Sequence, residues 1–324
     1  MAPKALQLLA GDHDYPYQAG FAASSDAARL VRHAPLHESE SVMNMLSQLP
    51  FVSAKLAYLG DSDAPIEHRV YPPSSGIKTV RPPLEYQTMP IHDARPIAHE
   101  LDIDTQGFVL YRHATDFTAF YDADAVKLHY YPEVAEFVRQ TLHATAVLVF
   151  DHNTRSAARA SRGETGVRLP VDAVHNDYTE TSGPNRAREI LTTANRHDLI
   201  GRRVAFVNLW RPITGPVQDV PLAVCDARSV RPEDIVDTPI HHYLEHDLTT
   251  PSHSGQIQSV RHGAGHHWYY VSDMQPDEVL LLKCYDALRD GRARFMPHTG
   301  FKNPACPAQF TPRESIEART LVVF

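Results

Sequence analysis

Near the middle of the 324-residue chain, Val174-His175-Asn176-Asp177-Tyr178 places an imidazole and a carboxylate two positions apart. Successive side chains on a strand alternate between faces, so positions 175 and 177 share a face and can address one point. Imidazole and carboxylate together suit divalent iron. Two histidines and one carboxylate on one octahedral face would leave three positions for substrates and oxygen. The alternating apolar residues Val167, Leu169, Val171 and Val174 suggest a strand leading into His175. The competing reading is a polar turn after a strand. Twenty histidines and 39 acidic residues would supply about two such pairs by chance, and the chain has one.

A facial triad needs a second histidine from elsewhere, and an oxygenase using 2-oxoglutarate needs a base for the far carboxylate. Arginine suits that task because its planar fork bonds a carboxylate at two points and stays charged. His298, in "ARFMPHTGF", lies late in the chain, and Arg313, in "TPRESIEARTLVVF", follows fifteen residues later. That is about one strand-turn-strand step, which predicts that the two lie side by side on adjacent strands. From the residues alone His298 is open between ligand and packed core histidine. Trp210 and Arg211 end the run "VAFVNL", and Pro212 should stop its ladder, which puts Arg211 at a barrel mouth. There it could meet a substrate or cosubstrate carboxylate, or form a structural salt bridge. Tyr178 could line a pocket or pack.

Other histidines compete. His262, His266 and His267 surround Gly263 and Gly265 in "RHGAGHH" and read as an exposed hairpin tip. His241, His242 and His246 in "TPIHHYLEHDL" read as a surface loop or short helix, and His152 as a group behind the ligands.

The elements that must position these residues are mostly strands. Candidates from Ala144 onward are "TAVLVFD", "TGVRLPVDAV", "VAFVNLW", "PLAVCDARSV", "QIQSVRH", "HWYYVSD", "EVLLLKCYD", "ARFMPH" and "RTLVVF", interrupted by one helix, "PNRAREILTTANRHDL". Before them come a strand, "GFVLYRH", and an amphipathic helix, "YPEVAEFVRQTLHA", with Pro132 in its first turn. "AASSDAARLVRHA" and "ESESVMNMLSQL" have helical spacing, and seven prolines from Pro65 to Pro96 read as an extended arm over the surface. The expected fold is mainly β with flanking helices, built on a double-stranded β-helix of the jelly-roll, cupin-like kind, since closure removes exposed edges. Residues 1–100 form the helical and Pro-rich wrapping segment and residues 101–324 the barrel, together one unit.

Composition excludes other classes. A net charge of -8 without a Lys/Arg run argues against nucleic acid. No apolar window reaches the roughly 18–20 residues that span a bilayer, and the N-terminus falls short of a secretory signal. Three cysteines without C-x-x-C spacing suggest neither disulfides nor a Cys-based zinc site, so a cytoplasmic protein is expected. A homo-oligomer is compatible with all of this.

"VHNDY", "RRVAFVNLWRP", "WYYVSDMQPDEVLLLKCYD", "PHTGF" and "RESIEARTLVVF", in this order, resemble the family of the fungal gibberellin desaturase. That family includes the cephamycin 7α-methoxylase small-subunit-like proteins and the aspergillic-acid-type hydroxylase/desaturases. "GFVLYRHATDFTAFYD" and "YYPEVAEFVRQTLHATAVLVFDHNTR" extend the resemblance over roughly residues 105–324. It implies an oxygenase using Fe(II), 2-oxoglutarate and O2, with His175, Asp177 and His298 as iron ligands and Arg313, rather than Arg319, holding 2-oxoglutarate. The implied reaction is hydroxylation, desaturation or oxidative cyclisation of a small secondary metabolite or modified amino acid, and Arg211 would suit a carboxylate-bearing one. Two readings compete with it. One is a cupin-like isomerase or hydrolase that binds zinc or manganese at the same residues without using 2-oxoglutarate. The other is a barrel that only binds a small acid.

Overall fold

Fifteen strands and a few helices account for most of residues 46–324, which the computed structural model describes and which belong to one compact unit. In chain order the strands are β1 (Phe51–Leu59), β2 (His68–Val70), β3 (Leu84–Asp93), β4 (Phe108–Arg112), β5 (Ala146–Ser156), β6 (Val167–Arg168), β7 (His175–Asn176) and β8 (Val204–Pro212). They continue as β9 (Leu222–Cys225), β10 (Ile235–His242), β11 (His253–Val260), β12 (Trp268–Tyr270), β13 (Glu278–Asp286), β14 (His298–Gly300) and β15 (Glu314–Val323).

Two sheets result. One has nine strands in the order β1-β3-β12-β9-β14-β7-β11-β10-β2, the other six in the order β4-β13-β8-β15-β5-β6. They form the expected mostly-β jelly-roll core. β8 and β13 are buried along their whole length, which is why they read as unbroken apolar runs rather than alternating ones. The helix Tyr131–Thr141 covers this sheet, packing on β5 and β15 with Val134 and Val138 buried.

The two faces of the nine-stranded sheet do different work. His298 pairs with Val224, and Trp268 pairs with the adjacent Cys225, so the histidine and the tryptophan lie on opposite faces. Trp268 joins a core with Leu56, Tyr58, Ile91, Cys225 and Val260. On the other face Tyr269 meets Phe108 of the six-stranded sheet.

Several expectations are corrected. The Pro-rich stretch is not a surface arm, because β3 lies within the sheet between β1 and β12. Pro90 is accommodated one step outside the β12 ladder, which pairs only with Ile91–Asp93. The boundary at 100/101 therefore matches no structural division among the described residues. Residues 165–174 are not a strand ending in the histidine; only Val167–Arg168 pairs with β5, and Leu169 is exposed. "RHGAGHH" is no hairpin turn, since β11 and β12 do not pair with each other, and Thr238–His242 of "TPIHH" closes β10. The helical readings of "AASSDAARLVRHA" and most of "ESESVMNMLSQL" lie outside the described residues. Among the described residues no helix is long and apolar enough to cross a membrane, and all three cysteines are free.

Candidate active site

His175 lies on β7, Asp177 in the bend that follows, and His298 on β14, directly opposite His175 in the antiparallel pairing. One donor atom from each lies within 4.8 Å of the others, and no other such group of three or more occurs among the described residues. Each imidazole is oriented by its own strand. His175 Nδ1 sits 2.9 Å from the carbonyl of Ala173, and His298 Nδ1 sits 3.2 Å from that of Met296. A carbonyl can only accept, so both Nδ1 atoms donate to the backbone and both Nε2 atoms are left for a metal. Burial, and then the neighbouring His298, push the His175 imidazole down to about 3, so it stays neutral.

Asp177 divides its two oxygens. Oδ2 accepts from Asn208 Nδ2 at 2.8 Å and lies 3.7 Å from Arg319, while Oδ1 faces His175 Nε2 at 3.6 Å. Burial works against its charge, yet Arg319 and the hydrogen bond from Asn208 hold the carboxyl well below the usual range. Two imidazoles whose Nε2 atoms are not engaged by the backbone and one ionised carboxylate form a donor set that fits a divalent transition metal.

His175 and His298 line one recess whose opposite wall is the six-stranded sheet, with Asp177 against them just behind its lining. That wall holds Trp210, Arg313, Glu317, Arg319 and Arg155, while Val171, Leu222, Thr299 and Gly300 complete the nine-stranded side. Gly300 is required by proximity: a Cβ there would stand 2.9 Å from the carbonyl of Val171, to which its own N–H donates. Arg313 is 4% exposed, with Nε on Ser315 Oγ at 3.2 Å, one terminal nitrogen on the Val220 carbonyl at 2.7 Å, and its guanidinium 5.0 Å from the Trp210 ring. Burial, and then Arg155, push it down to about 9 against the pull of Asp219 and Glu317. Arg319 is already matched by Asp151, Asp177 and Glu317.

His298 and Arg313 thus face one another from opposed sheets, not side by side on adjacent strands as expected. Arg211 does not reach the recess. Being next to Trp210 on β8, it points to the other face, where it donates to the Tyr130 hydroxyl at 2.8 Å and the Pro276 carbonyl at 2.6 Å and meets His113. Tyr178 packs, stacked on Phe206 at 4.0 Å. His152 bonds Tyr131 instead of the ligands. His266 is buried between Tyr58 and Asp234 rather than exposed at a tip, and His241 meets Ser254 and Glu67 at the sheet margin.

Asn208, Glu317 and Arg155 were not singled out as parts of this site, and Arg319 was weighed only as the rival of Arg313. Their signal is a period of two: Arg313, Ser315, Glu317 and Arg319 alternate along one strand, as do Asn208 and Trp210, and Asp151, Asn153 and Arg155.

The chain matches the protein-family profile described as "Oxidoreductase/YMDC permease-like domain" over residues 56–323, and it belongs to this family. It is 35% identical over 259 residues to hydroxylase/desaturase efuI of Hormonema carpetanum, covering 74% of this chain and 85% of that one. It is 33% identical to hydroxylase/desaturase CTB9 of Cercospora beticola (74% and 76% covered). With the Fe(II)/2-oxoglutarate-dependent dioxygenase nvfI of Aspergillus novofumigatus it shares 32% identity (71% and 81% covered). A solved structure of the iron and alpha-ketoglutarate-dependent endoperoxidase NvfI superposes with a TM-score of 0.72 at 26% identity, covering 85% of this chain and 98% of that one. The resemblance drawn from the motifs is thereby established at the level of the family.

Proposed function

We propose that this chain is an Fe(II)/2-oxoglutarate-dependent oxygenase that hydroxylates, desaturates or oxidatively cyclises a small secondary metabolite. The observation that carries the reading is one recess in which His175 and His298, whose donor atoms converge with that of Asp177, face Arg313. The printed names of the relatives support it.

In this reading His175 Nε2, His298 Nε2 and Asp177 Oδ1 hold the iron. Iron bound there supplies the redox chemistry that couples O2 and oxidative decarboxylation of 2-oxoglutarate to oxidation of a substrate C–H bond. The protein's share is position. The Ala173 and Met296 carbonyls keep both imidazoles turned the same way, and Asn208 and Arg319 occupy Asp177 Oδ2 so that one oxygen remains for the metal. Arg313, braced by Ser315, Val220 and Trp210, presents its remaining donors to the distal carboxylate of the cosubstrate. Val171, Leu222 and Trp210 supply the apolar surface that limits water around them. A cytoplasmic setting belongs to this reading, supported by three unpaired cysteines.

Anaerobic addition of Fe(II) and then 2-oxoglutarate tests it. The expected result is a weak visible charge-transfer band that appears only when both are present, with succinate formed on admitting air. Metal binding without that band, together with turnover under zinc or manganese, would replace this reading with an isomerase or hydrolase.

A further inference from the structure

We propose that Arg155 is a second arginine for the cosubstrate, converging with Arg313 on the distal carboxylate of a five-carbon 2-oxo dicarboxylate. This rests on the oxygenase reading and deepens it. Arg155 stands directly across the β5–β15 ladder from Ser315, whose hydroxyl accepts from Arg313 Nε. The two guanidinium groups therefore flank one serine and line one recess.

Three arginines line that recess, and their partners differ. Arg319 is satisfied by three carboxylates. Arg155 makes one hydrogen bond, to the Leu169 carbonyl at 2.7 Å, and Arg313 bonds only Ser315 and the Val220 carbonyl through its side chain. Among the described residues neither guanidinium has a carboxylate at ion-pair distance. Two like charges withdrawn from water beside each other are costly unless an anion joins them. Burial pushes both downward against the pull of Glu317, which stands beyond ion-pair distance of either, and Arg155 is the strongest charged neighbour acting on Arg313. One carboxylate with two oxygens can take a donor pair from each side, which answers both deficits at once. A monocarboxylate 2-oxo acid of the same length would bring a methyl group to that place and answer neither.

The test compares 2-oxoglutarate with 2-oxopentanoate, which lacks the distal carboxylate, in anaerobic titrations of the Fe(II) protein read by the charge-transfer band. Arg155→Gln should raise the 2-oxoglutarate concentration for half-saturation by about tenfold or more, the scale of one lost charge-assisted bond, and leave 2-oxopentanoate unchanged. Arg155→Lys, which keeps the charge, should recover part of the loss. Equal binding of 2-oxoglutarate by wild type and Arg155→Gln overturns the inference while the oxygenase reading stands. So does equal weakening of both ligands, which would mark Arg155 as support for the Leu169 segment alone. A wild-type protein that binds Fe(II) but develops no band with 2-oxoglutarate overturns both.

Discussion

His298 stands opposite His175 in the pairing of β14 with β7, and their rings lie 4.5 Å apart at 53°. Two imidazoles so placed give one cation a pair of donors that only the folded chain brings together. A metal that binds the folded chain alone must therefore stabilise it. Co(II) or Fe(II) at a hundredfold excess over Kd should add about 2.7 kcal/mol in urea denaturation under anaerobic conditions. His298→Ala should abolish that gain together with turnover. An undiminished gain in the variant would remove His298 from the ligand set.

Asn208 separates metal affinity from stability. Its amide nitrogen holds Asp177 Oδ2, while its own Oδ1 is buried without a hydrogen-bond partner. Asn208→Leu removes the bond and the unsatisfied atom together, so thermal stability should change little. Metal affinity should fall by about 10–100-fold, measured by calorimetry with Co(II). A variant that binds metal as wild type would show that Arg319 suffices to orient the carboxylate.

Arg313 and Arg211 make opposite predictions. Arg313→Leu should raise the 2-oxoglutarate requirement sharply with Fe(II) still bound. Arg211→Leu should leave that requirement unchanged and lower stability by about 2–3 kcal/mol, since it strands buried polar partners at Tyr130 and Pro276. Half-saturation titrations and urea midpoints on both variants decide the matter; a cosubstrate effect of Arg211→Leu would contradict its placement behind the sheet.

The buried His266 sets a pH dependence. Burial lowers it from 6.5 against the pull of Asp234, so the unfolded chain takes up a proton more readily than the folded one. Its contribution to stability is full above pH 6.5 and is lost as pH falls from there towards the folded value. Urea midpoints of the metal-free protein should decline over that interval, and His266→Gln should flatten the slope. An unaltered slope would assign the acid sensitivity to other buried histidines.

What could be read from residue order follows from the physics of each element. β5, β8, β13 and the helix Tyr131–Thr141 were legible because long apolar or amphipathic runs declare themselves. β3 was hidden by prolines tolerated outside its neighbour's ladder, and β7 and β14 are too short to show a period. That His175, Asp177 and His298 would converge was legible through motif order, whereas the facing of the two sheets was not. Arg211 was misplaced because "WRP" says nothing about which face each residue takes. The alternation of Trp210 and Arg211 on a strand allows only one of them into the recess.

In the proposed reading the two histidines that would hold the metal come from the nine-stranded sheet, Asp177 from the bend after β7, and the arginines for the cosubstrate from the six-stranded side. The reaction therefore spans a gap whose width is set by core packing, about 10 Å between sheets face to face. A substitution deep in the sandwich, touching neither ligand nor arginine, can widen that gap and uncouple the two halves. In the proposed oxygenase the thickness of the sandwich, adjusted one methylene at a time, would set how closely cosubstrate and metal are held to each other.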